Sequence, residues 1–347
     1  MSLFNVKGSF FMSSSSITLG QHGPRMASVG YGAMSLTNFY GPCDKEQAHN
    51  VLTACVDLGI DHIDTSNVYG AGTSESRIGA FLAKQGSHAS SMFKIATKGG
   101  ITTHPETGAR CFNNALEHLE GELDKSLSRL GVECVDLFYV HRREQERDIE
   151  EVTEGLATLI KKGKTKQIGF SEIAPDSLRR ASKIHHIAAV QSEYSLSTRA
   201  PELGLVQTCA ELGATLVAFS PVGRTYLTDT PMDYETGQSL GFTKNNPRFM
   251  QPHYAANIAA TNKFRQYASD HGMAAATLAI AWLLHQGSHV LPIPGTRSVE
   301  HLAQAAAAMS VTLTADMIAE IEAILPVGWA AGDRYSSAQW IGPERYC

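Results

Sequence analysis

The sequence predicts a (β/α)₈ barrel, with an N-terminal β-hairpin closing its base and an extra helix and tail at its C-terminus. Three observations predict it. Eight short β-branched or aromatic runs alternate with longer amphipathic stretches. Each run is followed by a helical pattern, the order expected of a closed parallel sheet. The competing doubly wound sheet usually carries G-x-G-x-x-G after its first strand, whereas Gly30-Tyr31-Gly32-Ala33-Met34-Ser35 lacks the third glycine.

The elements follow in order. Ile17-Thr18-Leu19 and Met26-Ala27-Ser28 flank a Gly/His/Pro turn and form the predicted hairpin. The predicted strands are 27–30, 62–64, 93–97, 136–140, 165–170, 188–191, 215–219 and 290–293. Helical patterns span 45–58, 74–83, 113–130, 149–162, 175–184, 201–212 and 257–285, followed by 299–309 and 315–325. The third of these shows the logic. Leu116, Leu119, Leu123, Leu127 and Leu130 recur at three- and four-residue steps, one apolar stripe facing a sheet. Gly131 then ends it as a left-handed cap. From Phe219 to Asn257 the chain is rich in Gly, Pro, Thr, Asp and Asn, with no sustained helical stripe. So long a connection is usually functional, for example as a lid. The tail after Leu325 carries Trp329, Tyr335, Trp340 and Tyr346, too aromatic for a disordered end.

Composition narrows the function. Of 347 residues, 43% are hydrophobic and 18% charged, enough to build a large core. The net charge of −5 supplies no basic footprint for nucleic acid or an anionic membrane. Six cysteines at 43, 55, 111, 134, 209 and 347 form no C-x-x-C pair and no zinc spacing, so they read as reduced thiols of a cytoplasmic protein that holds no metal. The start of the chain has no apolar run of the length of a signal peptide's core, and no segment approaches the length of a membrane span. Met12 followed by four serines marks 1–15 as a flexible extension, native or a leader, ahead of one domain over 16–347.

In a parallel barrel the site lies at the carboxyl ends of the strands. The second predicted strand ends at Asp64, with Tyr69 five residues on. The third ends at Lys98, the fourth at His141, the fifth at Ser171-Glu172 and the sixth at Gln191. Taken singly, Asp64 and Lys98 would be capping or ion-pair residues, His141 a structural histidine and Tyr69 ordinary loop chemistry. Jointly they read as a tuned proton donor. A tyrosine is a reluctant acid near neutrality, an ammonium favours its phenolate and lowers the pKa, and a carboxylate holds the ammonium. His141 Nε2 is then placed to orient a carbonyl oxygen. His185 and His186, adjacent in sequence, are expected to carry no functional role.

Seven strings occur in one order: HIDTSNVYG (62–70), IATKGG (95–100), DLFYVHR (136–142), GKTKQIGFSE (163–172), VQSEYS (190–195), FSPVGR (219–224) and PIPGTRSVEHL (292–302). Over roughly residues 16–325 the chain closely resembles the aldo-keto reductase superfamily. That resemblance implies a barrel binding a nicotinamide dinucleotide across its strand ends, and the reduction of aldehydes or ketones to alcohols. It implies Tyr69 as general acid, Lys98 and Asp64 as its tuning pair, and His141 as the group that orients the carbonyl. Gly32, Ala33 and Met34, with Asp64, would border the cofactor. Ser171 and Gln191 would hold its carboxamide, and Phe219 would stack on its ring where relatives more often have Tyr or Trp. Ser220, Pro221, Val222, Gly223 and Arg224 would line the pyrophosphate. Gly295, Thr296 and Arg297 open the eighth helix, where backbone N–H groups favour phosphate. Arg297 suits the 2′-phosphate that separates NADPH from NADH. NADPH/NADP⁺ is therefore the expected cofactor, with NADH still possible.

Three positions depart from the family pattern. Glu172 stands where many members have Asn, Gln304-Ala305 replaces the adenine-contacting Glu-Asn, and His301 replaces a frequent arginine. Two other functions fit the same strings: an NAD(P)-dependent aldose or alcohol dehydrogenase, and a catalytically weak NADP-binding regulatory subunit like the potassium-channel β subunits. The latter have Asn at the position of His141, which favours the enzyme. The partner implied is a small carbonyl compound, its selection falling to 35–43, 225–257 and the tail. Phe39, Tyr40, Trp329 and Trp340 either frame that pocket or pack loops. The residues do not decide an oligomeric state.

Overall fold

A computed structural model of the chain describes residues 16–346, so the extension expected over 1–15 lies outside the described residues. Eight strands form one parallel sheet: β1 (Tyr31–Gly32), β2 (His62–Asp64), β3 (Lys94–Gly99), β4 (Leu137–Val140), β5 (Ile168–Ser171), β6 (Ala189–Glu193), β7 (Thr215–Phe219) and β8 (Val290–Pro292). Each pairs in register with its neighbour, as in Gln191 opposite both Ser171 and Val217. The ring is closed by Gly30 N–H donating to Pro292 O at 2.9 Å and Gly32 N–H to Pro294 O at 3.0 Å.

Closure explains the glycines. A Cβ on Gly32 would stand 2.8 Å from Ile293 O, and one on Gly295 would stand 2.7 Å from Gly32 O. The first strand also differs from the predicted 27–30. Ala27 pairs with Ser16 in the antiparallel hairpin Ser16–Thr18/Arg25–Ala27, so the barrel strand begins later, at Tyr31. The hairpin seals the base as expected: Ile17, Leu19 and Met26 pack with Leu137, Val217 and Leu291 inside the barrel.

The helices of the outer ring are α1 (Lys45–Asp57), α2 (Thr73–Ala83), α3 (Leu116–Leu130), α4 (Ile149–Lys161), α5 (Pro175–Ser182), α6 (Leu205–Leu212), α7 (His253–Asp270), α8 (Ala275–His285) and α9 (Val299–Ala307), with α10 (Ala315–Ile324) beyond. In α3 the stripe Leu119, Leu123, Leu127 and Leu130 is buried, and Gly131 takes the left-handed cap at φ 69°. That helix starts three residues later than predicted. Asn113 Oδ1 accepts from Ala115 N–H, and Asn114 donates to Arg142 O, so both side chains brace loops. The single stretch predicted over 257–285 is two helices, broken where Gly272 turns left-handed at φ 66°. Pro201 remains in a 3₁₀ turn ahead of α6.

Two segments cover the strand ends. The connection from 220 to 252 packs on itself through Tyr226 stacked on Phe249, and includes one six-residue helix, Tyr234–Ser239. The tail is ordered: Trp329 Nε1–H donates to Leu196 O at 2.8 Å, and Glu344 Oε2 accepts from Ala174 N–H at 2.8 Å. No described helix is long and apolar enough to cross a membrane.

Two glycine substitutions should act in opposite directions. Gly32→Ala is expected to destabilise by about 1–3 kcal/mol through overpacking at the closure. Gly121→Ala, mid-helix in α3 with nothing near its Cβ, should instead stabilise by about 0.5–1 kcal/mol. Melting temperatures check both; a Gly32→Ala protein as stable as the parent would show that the seam does not need the glycine.

Candidate active site

Strand alternation puts the chemistry at the barrel's mouth. In β2, Ile63 points to the outer core, so His62 and Asp64 face the interior. Lys98 stands near the end of β3, and His141 directly follows β4. The loop after β2 extends the ladder, with Thr65 N–H donating to Ala96 O at 2.8 Å, and then reverses. Gly70, Ala71 and Gly72 all have positive φ, and Thr73 Oγ1–H closes the turn on Gly70 O at 2.6 Å. This reversal fixes Tyr69 at the mouth.

Four side chains meet there. Lys98 Nζ donates to Asp64 Oδ1 at 2.5 Å, to Thr65 O at 2.7 Å and to the Tyr69 hydroxyl at 3.3 Å. Its three protons therefore have three acceptors. The Tyr69 and His141 rings lie edge to face, 5.8 Å apart. His141 Nδ1 is 3.1 Å from Ser66 Oγ; with Ser66 donating, Nε2 keeps the ring's proton and can donate outward.

Burial is the largest influence on each charge. It raises the Tyr69 phenol above the ordinary tyrosine value, although Lys98 pulls the other way. The ammonium moderates the pKa without bringing it down, so the expected net lowering does not occur. Burial also opposes the Lys98 charge, but Asp64 and then Tyr69 outweigh it and the ammonium's pKa is raised. His141 is held well below its usual value by burial, then by Arg142, Lys98 and Arg110. At neutral pH the set is thus a neutral phenol, an ammonium and a neutral imidazole.

These groups open into a cleft of about 610 Å³. Tyr69, Asp64 and His141 line it, while Lys98 lies behind them. On one side stand Ser171, Gln191 and Phe219; on the next, Ser220, Pro221, Val222 and Arg224. Gly32, Met34, Gly295, Thr296, Arg297, His301 and Gln304 complete its other end. Two expected cofactor neighbours are not brought to it. Ala33 is buried, its carbonyl accepting from Ser74 Oγ–H at 2.8 Å, and Gly223 packs against Ser197.

Several expectations need refining. Gly295, Thr296 and Arg297 do not open the helix; α9 starts at Val299, and Ser298 caps it by accepting from His301 N–H at 3.2 Å. Arg224 lines the cleft, but its guanidinium is held by Glu193 at 3.0 Å and by the Tyr40 hydroxyl at 3.0 Å. Arg297 Nη1–H donates to Pro42 O at 2.5 Å and has no carboxylate partner among the described residues. Glu172 turns away from the cleft at φ 57° and grips Arg334 of the tail at 2.5 Å. Burial works against its charge, yet Arg334 outweighs burial and the carboxyl sits below its ordinary range.

The cleft also takes in Arg142, to which the sequence pattern gives no role, and Met232, Phe242 and Tyr335, which come from the 225–257 segment and the tail expected to select the substrate. Arg142 had a usable signal, since it directly follows His141 at a strand end. Phe242 and Tyr335 come from irregular segments with no period to read. Phe39 and Tyr40 do line the cleft; Trp340 packs edge-on against Tyr335 instead.

A dinucleotide's carboxamide fits the polar atoms present. Ser171 Oγ already accepts from Arg142 Nη1–H at 3.0 Å, so its own proton is available to a carbonyl. Gln191 Nε2–H donates to Asp64 Oδ2 at 2.7 Å, which leaves its carbonyl oxygen to accept from an amide. The loop beyond β7 is strained, with Ser220, Arg224 and Thr225 all at positive φ, as phosphate-cradling segments often are.

The sequence profile of the aldo/keto reductase family matches residues 28–326. The aldo-keto reductase yakc of Schizosaccharomyces pombe, whose name specifies NADP(+), is 36% identical over 313 residues, 88% of this chain and 91% of its own. A probable aldo-keto reductase 1 of Glycine max is 36% identical over 322 residues, covering 92% and 91%. Among solved structures, a glycerol dehydrogenase from Gluconobacter oxydans superposes with TM-score 0.79 at 24% identity, covering 90% of this chain and 96% of that one. An aldo-keto reductase from Bacillus halodurans, in its holo form, gives 0.74 at 22% identity over 94% and 99%. At those identities the structures speak for the fold.

The buried imidazoles carry a pH signature. His62, beneath Asp64, is fully buried with neither ring nitrogen bonded among the described residues, and burial lowers its pKa despite Asp64. His141 is lowered further. An unfolded histidine takes its proton near about pH 6.5, so below that the unfolded chain binds more protons than the folded one. This stability is complete above pH ~6.5 and lost as pH falls. Melting temperature should drop between pH 7 and 5.5, less steeply in His62→Phe; a flat profile would contradict neutral burial.

Proposed function

The chain belongs to the aldo/keto reductase family, and we propose that it reduces an aldehyde or ketone to an alcohol with NADPH, Tyr69 giving the proton. One observation carries this reading: Lys98 Nζ bridges Asp64 and the Tyr69 hydroxyl beside a neutral His141, at the rim of a cleft of about 610 Å³ that reaches from these groups to Arg297 and Gln304. When bound, the reduced nicotinamide supplies the hydride. Ser171 and Gln191 would hold its carboxamide and Phe219 its ring face. The segment of Ser220, Pro221, Val222 and Arg224 and the backbone of Gly295–Arg297 would take the phosphates, with His301 and Gln304 toward the adenine. NADP rather than NAD is favoured by Arg297, a guanidinium with no carboxylate partner among the described residues, and by the description of the fission-yeast relative.

The protein's own groups handle the proton. Burial keeps the Tyr69 phenol protonated at neutral pH, so it is ready to donate. His141 Nε2–H would bind the carbonyl oxygen and orient it toward that phenol. As the proton leaves Tyr69, the phenolate forms 3.3 Å from the Lys98 ammonium, which stabilises it. Asp64 prevents the ammonium from turning away and is itself held through Gln191. The tail and the long loop exclude water by placing Tyr335 and Phe242 against the cleft.

Tyr69→Phe should lower kcat for aldehyde reduction by about 10²–10⁴-fold while leaving NADPH binding, read by fluorescence, within a few-fold of the parent. Full turnover in that variant would end the acid assignment. For the cofactor, Arg297→Ala should raise KM for NADPH by about tenfold or more and change KM for NADH little. Initial rates in both directions with each cofactor complete the test, and a strong NADH preference in the parent enzyme would refute the Arg297 assignment.

A further inference from the structure

Among the described residues, the ion pairs around the mouth leave Arg142 without a carboxylate beside the catalytic groups. Lys98 meets Asp64 at 2.5 Å, Arg334 meets Glu172 at 2.5 Å, Arg224 meets Glu193 at 3.0 Å and Arg143 meets Glu344 at 2.8 Å. Arg142 meets no carboxylate among the described residues. Its Nη1 donates to His141 O at 2.6 Å and to Ser171 Oγ at 3.0 Å, which pins the guanidinium in place. Nε and Nη2 have no hydrogen-bond partner among the described residues. The side chain is half-buried and lines the cleft next to Tyr69 and His141.

Its charge is felt at the chemistry. After burial, Arg142 is the next influence depressing His141, and it also acts on Tyr69. Arg110, on the hairpin Ile101–Thr103/Arg110–Phe112, adds a second cation close enough to lower His141 too, and it also has no carboxylate partner among the described residues. A partly desolvated cation without a counter-ion is costly, and a fork of free N–H donors suits a carboxylate or phosphate.

The dinucleotide is not the natural source of that anion. Its phosphates would sit on the segments after β7 and β8, where Arg297 stands. Arg142 follows β4, across the eight-stranded ring from β8. Elsewhere the cleft wall includes the apolar side chains of Phe39, Met232 and Phe242 and the ring of Tyr335.

We infer that Arg142 is an anion site for the substrate, and that the preferred carbonyl compounds carry a carboxylate or phosphate on a largely apolar body. This rests on the reductase reading above and names its substrate class.

The test compares charged aldehydes with neutral counterparts: 4-carboxybenzaldehyde against methyl 4-formylbenzoate, and D-glyceraldehyde 3-phosphate against D-glyceraldehyde. In the parent enzyme kcat/KM should favour at least one charged member by about tenfold or more, the gap narrowing with added salt. The pair with the larger gap identifies carboxylate or phosphate as the anion. Arg142→Met should bring that ratio near one, and Arg142→Lys should keep part of it. Using the ratio cancels any loss transmitted through Ser171. Equal efficiency for both members of both pairs in the parent, or a ratio unchanged by Arg142→Met, overturns the inference. So does an NADPH dissociation constant, read by fluorescence, that weakens in Arg142→Met as much as the ratio falls, since Arg142 would then serve the cofactor. Reduction of neutral aldehydes without charge preference sinks this inference alone; no reduction of any aldehyde removes the reductase reading and this inference with it.

Discussion

The buried Lys98–Asp64 pair is the constraint on which the rest of the site depends. Both side chains are almost wholly removed from water. Such a pair contributes little net stability, because desolvation offsets most of the attraction, but losing either partner would strand a charge in the interior. The surroundings are therefore committed to satisfying it. Thr65 O takes one ammonium proton, Gln191 takes the second carboxylate oxygen, and the Tyr69 hydroxyl lies at the third donor position. A tyrosine in ammonium contact, under burial that keeps it protonated, follows from meeting that electrostatic demand.

The mouth of the barrel repeats the principle on a larger scale. Glu172 and Glu193, at the ends of adjacent strands, are both buried and gather Arg334 and Arg224. Arg334 brings in the tail, and with it Tyr335; Arg224 lies over the Phe242 ring of the long loop. Two irregular segments without regular hydrogen bonding thereby acquire defined positions over the cleft. Glu172, where relatives often have Asn, makes sense here as the anchor of the tail rather than as a cofactor ligand.

The barrel's closure sets the tolerance for all of this. Gly30 and Gly32 let the first strand lie against the last, and the same approach places Gly32 and Gly295 at the cleft. Their missing side chains serve the seam first. The first strand was misplaced from sequence for a related reason: Ala27 looks like strand and is strand, but of the hairpin, and only the pairing partner distinguishes the two. The one helix expected over 257–285 failed similarly, since Gly272 is a tolerated helix residue until its backbone turns left-handed. Arg142 was in plain view after His141, yet its importance depends on which carboxylates its neighbours find.

By itself the sequence determined the eight-fold alternation, the leucine stripe of α3 with its Gly131 cap, and the identity of the residues at the strand ends. These are readable because periodicity and strand polarity are local properties. The tertiary structure alone decided that the Tyr69 pKa is raised rather than lowered, that Glu172 belongs to the tail, that Ala33 and Gly223 stay out of the cleft, and that Arg142 has no counter-ion among the described residues. Each of those depends on burial and on partners far away in the chain. Desolvation and ion pairing are sums over neighbours in space, and a sequence orders neighbours only along a line.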